Sequence, residues 1–403
     1  MKSLIKDPER LWAQLGYAAR RVPAYASLRA SVERRDGDAA RALAGFPAMT
    51  KGDLVERGDA LFALDMRSAA VICQTSGTTG GQVLVTPRSS EELRWNGANV
   101  AKSFARYLAP GRDRVALLNP GCMSPFAEAC GLALMTLGVP FVRVFPIAKV
   151  MTYERIRQIL RDYQINVVMT TMTLANKLAF EWHGRAGGDG EGLPLKLLLT
   201  GELLTDASLA NTGRLLRGSA NAFVYGSSES ATCAIGCTAH RYHPCLDDFA
   251  FEIEPVEGAP SNTTGELLVT WLNTGIRPIV RYRTSDLVTV GERCECGQEG
   301  PAFDVHGRIS RKPLDTLDRV ALDDVVWSSS VPIYHYDLAL DAAEAPRLSV
   351  VARGLQDAAA GRLGRELRDR IAARVGLTVD VVVNPKEHEF FEFAPTTKTA
   401  RVT

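Results

Sequence analysis

Residues 8–22 place Leu11, Leu15, Ala18 and Val22 three or four positions apart, with Arg20 and Arg21 near the end. That spacing lays one apolar stripe along a helix, and Pro23 stops it. Thr50-Lys51-Gly52-Asp53-Leu54 reads as a side-chain cap leading into a short helix. The apolar run 69–73 and the β-branched stretch 83–86 predict two strands joined by a Gly/Thr-rich loop. Residues 91–107 read as helix. From there the pattern alternates. Strands are predicted at 115–118, 141–145, 166–170 and 195–199, and helices at 152–163 and 174–182. Residues 183–193 read as a Gly-rich surface loop. Alternation of this kind favours a parallel sheet covered by helices. Residues 222–224 read as a strand leading into Tyr225. Residues 251–254, 265–272 and 279–282 read as strands of a more antiparallel region. Beyond Arg308, a strand at 347–351, a helix carrying Leu363, Leu367, Ile371 and Val375, and a strand at 378–383 make a small β-α-β unit. The expected architecture is α/β. A large N-terminal domain, residues 1–308, carries mostly parallel sheets and flanking helices. A small α+β C-terminal domain, residues 309–403, follows it.

The 403 residues are enough for two or three domains with a substantial core. A formal charge of +1, from 47 basic against 46 acidic side chains, excludes charge-driven binding to nucleic acid or anionic membrane. The longest apolar stretch, 129–142, is too short to span a bilayer, and Gly and Pro interrupt it. The first residues carry no apolar run of signal-peptide length. Eight cysteines in such a chain imply a reducing compartment, so a cytoplasmic enzyme or binding protein is expected.

Three segments carry residue types suited to nucleotide chemistry. Thr75-Ser76-Gly77-Thr78-Thr79-Gly80-Gly81 would let backbone N–H groups and hydroxyls converge on a phosphate. It is not a Walker A loop, because no Gly-Lys-Ser/Thr closes it. A plain polar turn is the competing reading. In Tyr225-Gly226-Ser227-Ser228-Glu229 the Tyr can stack on a base, Ser228 can reach a phosphate and Glu229 can hold Mg²⁺. An esterase elbow would need Gly where Ser230 stands. In Arg281-Tyr282-Arg283-Thr284-Ser285-Asp286 the carboxylate is a natural acceptor for two ribose hydroxyls. Gly307-Arg308 follows, and Lys398 sits late on a Thr-rich stretch.

Taken in order, these segments resemble those of the adenylate-forming acyl ligases. Arg21-Val22-Pro23-Ala24-Tyr25, Phe46-Pro47-Ala48-Met49-Thr50-Lys51-Gly52-Asp53-Leu54 and Gly201-Glu202 narrow the likeness to the phenylacetate–coenzyme A ligase branch. The resemblance implies ATP-dependent activation of a carboxylic acid, of the aryl class, to an acyl-adenylate with release of pyrophosphate. The acyl group then passes to coenzyme A or, as an alternative, to an amine. A non-catalytic nucleotide binder is the reading from a different class, and Lys398 argues against it. Thr75 to Gly80 would close over the outer phosphates of ATP. Gly201, Glu202, Tyr225 and Gly226 would frame the adenine. Ser228 would contact the α-phosphate, and Glu229 would hold Mg²⁺. Asp286 would bind the ribose, and Arg308 the ribose or phosphate near a hinge. Lys398 would bridge the carboxylate and the α-phosphate. A homodimer is compatible with the resemblance.

The chain also departs from that pattern. The family loop usually carries Lys-Pro after its Gly, where this chain has Gly81-Gln82. Ser285 replaces the usual Gly before Asp286. Ile309-Ser310-Arg311-Lys312 stands where acidic hinge residues are usual. Separately, Cys294 and Cys296 lie one residue apart, downstream of Cys233, Cys237, His240, His243 and Cys245. Zn²⁺ takes four N/S ligands in a tetrahedron. Cys237, His243, Cys294 and Cys296 would satisfy it, with His240 or Cys245 as substitutes, and the branch often has Cys and His in these regions. Idle thiols are the competing reading.

Overall fold

The structure is a computed structural model. It describes residues 2–35, 37–75, 83–118, 124–146, 151–183, 193–258, 261, 263–309, 317–340 and 345–385. The chain divides into two compact units that interleave along the sequence. One holds residues 1–110, 121–139 and 223–310, and the other holds 111–120, 140–222 and 311–403. A boundary after Arg308 therefore describes chain order rather than these units.

The second unit is built on a five-stranded parallel sheet. Its order is Phe141–Val144, Val115–Leu118, Val167–Thr170, Lys196–Leu199 and Ser219–Ala222. Every residue of Val115–Leu118 and Val167–Thr170 is buried. Such all-apolar runs suit strands covered on both faces. The helices Tyr153–Asp162, Met172–His183 and Asp206–Leu215 belong to the same alternation, the first capped by Thr152 as its sequence requires. Farther along, Ile333–Ala339 pairs antiparallel with Arg347–Ala352. The helix Asp357–Val375 then leads into Asp380–Val383, which pairs parallel with Arg347–Ala352. This is the expected β-α-β unit. It is tied to the parallel sheet's helices. The Asn211 amide donates to the Ile333 carbonyl at 2.7 Å and accepts from the Ile333 N–H at 3.1 Å. Phe180 and Tyr334 meet edge to face at 5.4 Å.

The first unit carries an eight-stranded sheet in the order Lys2–Leu4, Phe249–Pro255, Thr264–Trp271, Tyr282–Gly291, Ala302–Arg308, Tyr242–Pro244, Ala231–Gly236 and Val224–Ser227. All its pairings are antiparallel. The helix Pro8–Arg21 is capped by Asp7 and buries Leu11, Leu15 and Ala18, the predicted stripe. The hairpin Val71–Gln74 with Val85–Arg88 and the helix Ser90–Tyr107 also form where expected.

Two strand expectations need correction. Residues 279–281 are not a strand, because Arg281 takes φ 48° and breaks the extended run; the strand is Tyr282–Gly291. The backbone there is still satisfied, since Trp271 N–H donates to the Ile279 carbonyl and Met49 N–H to that of Arg281. Residues 222–224 do not form one strand either. Ser219–Ala222 ends in the parallel sheet and Val224–Ser227 begins in the antiparallel one, so Tyr225 lies inside a strand rather than after it.

Candidate functional site

Asp286 and Arg308 face each other across Tyr282–Gly291 and Ala302–Arg308. Arg308 Nε lies 3.6 Å from one Asp286 oxygen. The Tyr225 hydroxyl donates to the other at 2.6 Å. Tyr225 is wedged edge-on against Phe303 at 5.3 Å and tilted against Tyr242 at 5.8 Å. Burial first, and the Asp286 charge second, push its hydroxyl far above the usual phenol range. It therefore stays a neutral donor. Ser285 takes φ 60°, a region that an L-residue enters at about 1 kcal/mol or more. Next to it, the Asp286 N–H donates to Thr284 Oγ1, and that hydroxyl donates to the Leu267 carbonyl. The carboxylate sits on a pinned kink.

The Ser227–Ser230 turn follows the strand that holds Tyr225. Ser227 N–H donates to Ser230 Oγ and Ser230 N–H to Ser227 Oγ. The turn doubles back so tightly that a Cβ on Gly226 would lie 2.0 Å from the Ala231 carbonyl oxygen. Only glycine fits there. The turn's carbonyls are held by buried donors. Arg88 Nη2 donates to the carbonyls of Ser228 at 2.6 Å and Glu229 at 3.1 Å, and Trp271 Nε1 donates to that of Ser230. The Arg88 guanidinium also stacks on the Trp271 ring at 4.8 Å and pairs with Glu92 at 3.6 Å. Burial pushes its pKa down. Glu229 is only 6% exposed, and Lys51 Nζ stands 3.6 Å from its carboxylate.

The other expected residues are distributed as follows. Thr75 closes the neck of its loop, since its N–H donates to the Leu84 carbonyl and its Oγ1 accepts from Leu84 N–H at 3.0 Å. Ser76, Gly77, Thr78, Thr79 and Gly80 lie outside the described residues, as does Lys398. Gly201 and Glu202 belong to the second unit. There Gly201 takes φ 85°, and the Glu202 carboxylate accepts from Thr173 N–H and Thr173 Oγ1 at the start of Met172–His183. A carboxylate is stabilised at that end of a helix.

Arg88, Arg277 and the Lys51–Glu229 pair were not foreseen as parts of a site. Isolated basic residues carry no spacing signal that would have found them. Arg277 is 1% exposed beside this cluster, and burial pushes it down to about 10.

A second constellation lies in the same unit. Cys237, His243, Cys294 and Cys296 offer four ligand atoms within 4.8 Å of one another. Cys237 and Cys294 sulfurs are 3.7 Å apart, and Cys296 sulfur is 3.3 Å from His243 Nε2. Two thiolates at about 2.3 Å from one tetrahedral zinc would stand roughly 3.7 Å apart. The donor set therefore fits the ion. Burial pushes His243 below its usual pKa, which keeps the imidazole neutral as a ligand must be. The substitutes His240 and Cys245 are not part of the four-atom group.

No family model matches the chain. Over 258 residues it is 31% identical to the phenylacetate-coenzyme A ligase of Escherichia coli (strain K12), covering 60% of this chain and 56% of that protein. Over 297 residues it is 31% identical to the phenylacetate-coenzyme A ligase of Pseudomonas putida, covering 69% of this chain and 64% of that one. The chain thus spans less than two thirds of the length of these curated relatives. Among solved structures, a 2-hydroxyisobutyryl-CoA ligase in its postadenylation state superposes with a TM-score of 0.78 at 16% identity, over 98% of this chain and 88% of that one. An anthranilate CoA ligase gives 0.54 at 13% identity, over 77% and 63%. By sequence the chain is similar to the phenylacetate-coenzyme A ligases, and by fold to the 2-hydroxyisobutyryl-CoA ligase.

Proposed function

We propose that the protein activates a carboxylic acid, of the aryl class, with ATP and Mg²⁺, and passes the acyl group to coenzyme A. The observation that carries this reading is the Tyr225–Asp286–Arg308 group beside the Ser227–Ser230 turn. A carboxylate has about four acceptor positions. Tyr225 and Arg308 engage one oxygen each, and two vicinal ribose hydroxyls would donate to the same carboxylate. Tyr225 and Gly226 would flank the adenine. Ser228 would contact the α-phosphate.

Glu229 fits a magnesium ligand: its carboxylate is buried beside Lys51, and its turn is fixed by Arg88. Bound there, Mg²⁺ would neutralise phosphate charge as it develops. In adenylation one carboxylate oxygen bonds to the α-phosphorus while the bond to pyrophosphate breaks. Negative charge crowds at the α-phosphate, and Lys398 and Arg308 are the cations assigned to it. In the second step a thiol sulfur bonds to the acyl carbon and AMP leaves. Residues 309–403 would supply Lys398 to the reactants.

Cys237, His243, Cys294 and Cys296 would hold a structural zinc. It would tie the turn after Tyr282–Gly291 to the hairpin that follows Glu229.

The test is product analysis with ATP, Mg²⁺, a panel of aryl and aliphatic acids, and coenzyme A. AMP and an acyl thioester are the expected products. AMP release only when an amine replaces coenzyme A would reassign the acceptor, and no AMP with any acid would refute the ligase reading.

A further inference from the structure

Among the described residues, Arg277 is a buried cation with no ion-pair partner. It is 1% exposed, and its Nε and Nη2 have no hydrogen-bond partner among the described residues. Its neighbour on one side is the Phe62 ring, 5.6 Å from the guanidinium carbon. Buried polar groups are nearly always hydrogen-bonded, and a buried charge without partners is costly. Such a group points to a ligand.

Its backbone is fixed in place. Tyr17 OH donates to the Gly275 carbonyl at 3.0 Å, and Ala63 N–H to the Ile276 carbonyl at 2.7 Å. Ile276 N–H donates to Glu92 Oε2, and Pro278 restricts the backbone of Arg277, the residue before it. Gly275 is what admits Glu92, since a Cβ there would lie 2.7 Å from the carboxylate.

The surrounding charges do not cancel. Arg88, Arg277 and Lys51 face Glu92 and Glu229, three cations against two carboxylates. Glu92 is engaged by Arg88, Ser89 N–H and Ile276 N–H, and Glu229 by Lys51. One positive charge is left over, and it falls on Arg277. The buried Tyr282 hydroxyl is neutral, held far above its usual range mainly by burial. With its pKa near 10, Arg277 is protonated at neutral pH.

Of the reactants, the triphosphate brings the most negative charge to Glu229, the carboxylate assigned to Mg²⁺. The Thr75 to Gln82 segment, assigned above to the outer phosphates, contains no Lys or Arg. We propose that Arg277 supplies the cation and binds the β- and γ-phosphates of ATP, and hence the pyrophosphate that leaves. The inference rests on the ligase reading above.

The test is calorimetric titration of the full chain with AMP, with ATP and Mg²⁺, and with pyrophosphate and Mg²⁺, together with urea unfolding. Arg277→Met should weaken ATP and pyrophosphate binding about ten- to hundredfold and leave AMP binding within twofold. Arg277→Lys, which keeps the charge and loses the fork, should recover part of the loss. In the absence of ligand, Arg277→Met should be at least as stable as wild type, because it removes an unpaired buried charge; a structural Arg277 would make it less stable. Unchanged pyrophosphate binding in both variants overturns the inference. So does an equal loss for AMP, or a variant in which pyrophosphate binding holds while the KM for the acid rises, which would place Arg277 at the acid's carboxylate. A wild type that binds AMP and gains nothing from the outer phosphates overturns the inference alone, whereas one that binds no nucleotide overturns the ligase reading as well.

Discussion

Replacing Asp286 separates a ribose acceptor from a structural carboxylate. Tyr225 donates to Asp286 at 2.6 Å, a short charge-assisted bond in a buried setting. Removing its acceptor should cost about 1.5–3 kcal/mol. The Arg308 pair adds at most about 1 kcal/mol, because it spans 3.6 Å and Arg308 is 60% exposed. Asp286→Ala should therefore lose about 2–4 kcal/mol of stability. Asp286→Asn keeps an amide oxygen as acceptor for Tyr225, so its loss should be nearer 1 kcal/mol. Its effect on nucleotide should be larger. The amide offers one acceptor oxygen where the carboxylate offered two, so one ribose hydroxyl loses a charged partner. AMP affinity should fall about ten- to hundredfold. Urea unfolding and AMP titration calorimetry read the two effects independently. Tyr225→Phe should show the reverse balance, losing stability more than affinity. The reasoning fails if Asp286→Asn binds AMP within twofold of wild type.

Gly226→Ala should abolish nucleotide binding or folding, because the new Cβ meets the Ala231 carbonyl at 2.0 Å; a soluble variant with wild-type unfolding would contradict this close approach. Protein purified without chelator should carry one zinc per chain, and Cys296→Ala should lose it and unfold several degrees lower. Metal content near zero with freely titrating thiols would end the zinc proposal. Burial holds Tyr25 up at about 12 and also raises Tyr225, Tyr242 and Tyr282, against about 10 unfolded. Raised native values stabilise the fold below pH 10 and lose that contribution as pH climbs through them. Each phenol contributes a slope of up to about 1.4 kcal/mol per pH unit above 10. A native ultraviolet titration in which these four ionise near 10 would refute their burial.

The sequence was most informative where the determinants are local. Val115–Leu118 and Val167–Thr170 announce themselves as apolar runs, and Thr50 as a cap with a donor waiting one turn on. The cysteine group was readable from ligand chemistry together with the family resemblance, with His240 and Cys245 left open as substitutes, and the four atoms do lie together. Backbone reversals were not readable. The positive φ of Arg281 moved a strand start, and nothing in the side chain of an arginine predicts that geometry. Helix Pro125–Thr136 was missed because a nearly all-apolar run has no polar face to set a period. Long-range polar ties were equally silent. Asn211 and Ile333, 122 residues apart, exchange two hydrogen bonds, and Arg88 reaches the carbonyls of Ser228 and Glu229. Those partners are set by tertiary packing, and a lone Asn or Arg carries no pattern.

The step proposed for this chain joins a carboxylate to AMP. Pyrophosphate exchange into ATP tests the step without knowledge of the acceptor. With Mg²⁺ and an accepted aryl acid, labelled pyrophosphate should enter ATP at a rate that depends on the acid and vanishes without it. Lys398→Ala should lower that rate about 10²–10³-fold with ATP affinity nearly kept. Protein that binds AMP yet exchanges no pyrophosphate with any acid of a broad panel would contradict the account and leave a nucleotide binder in its place.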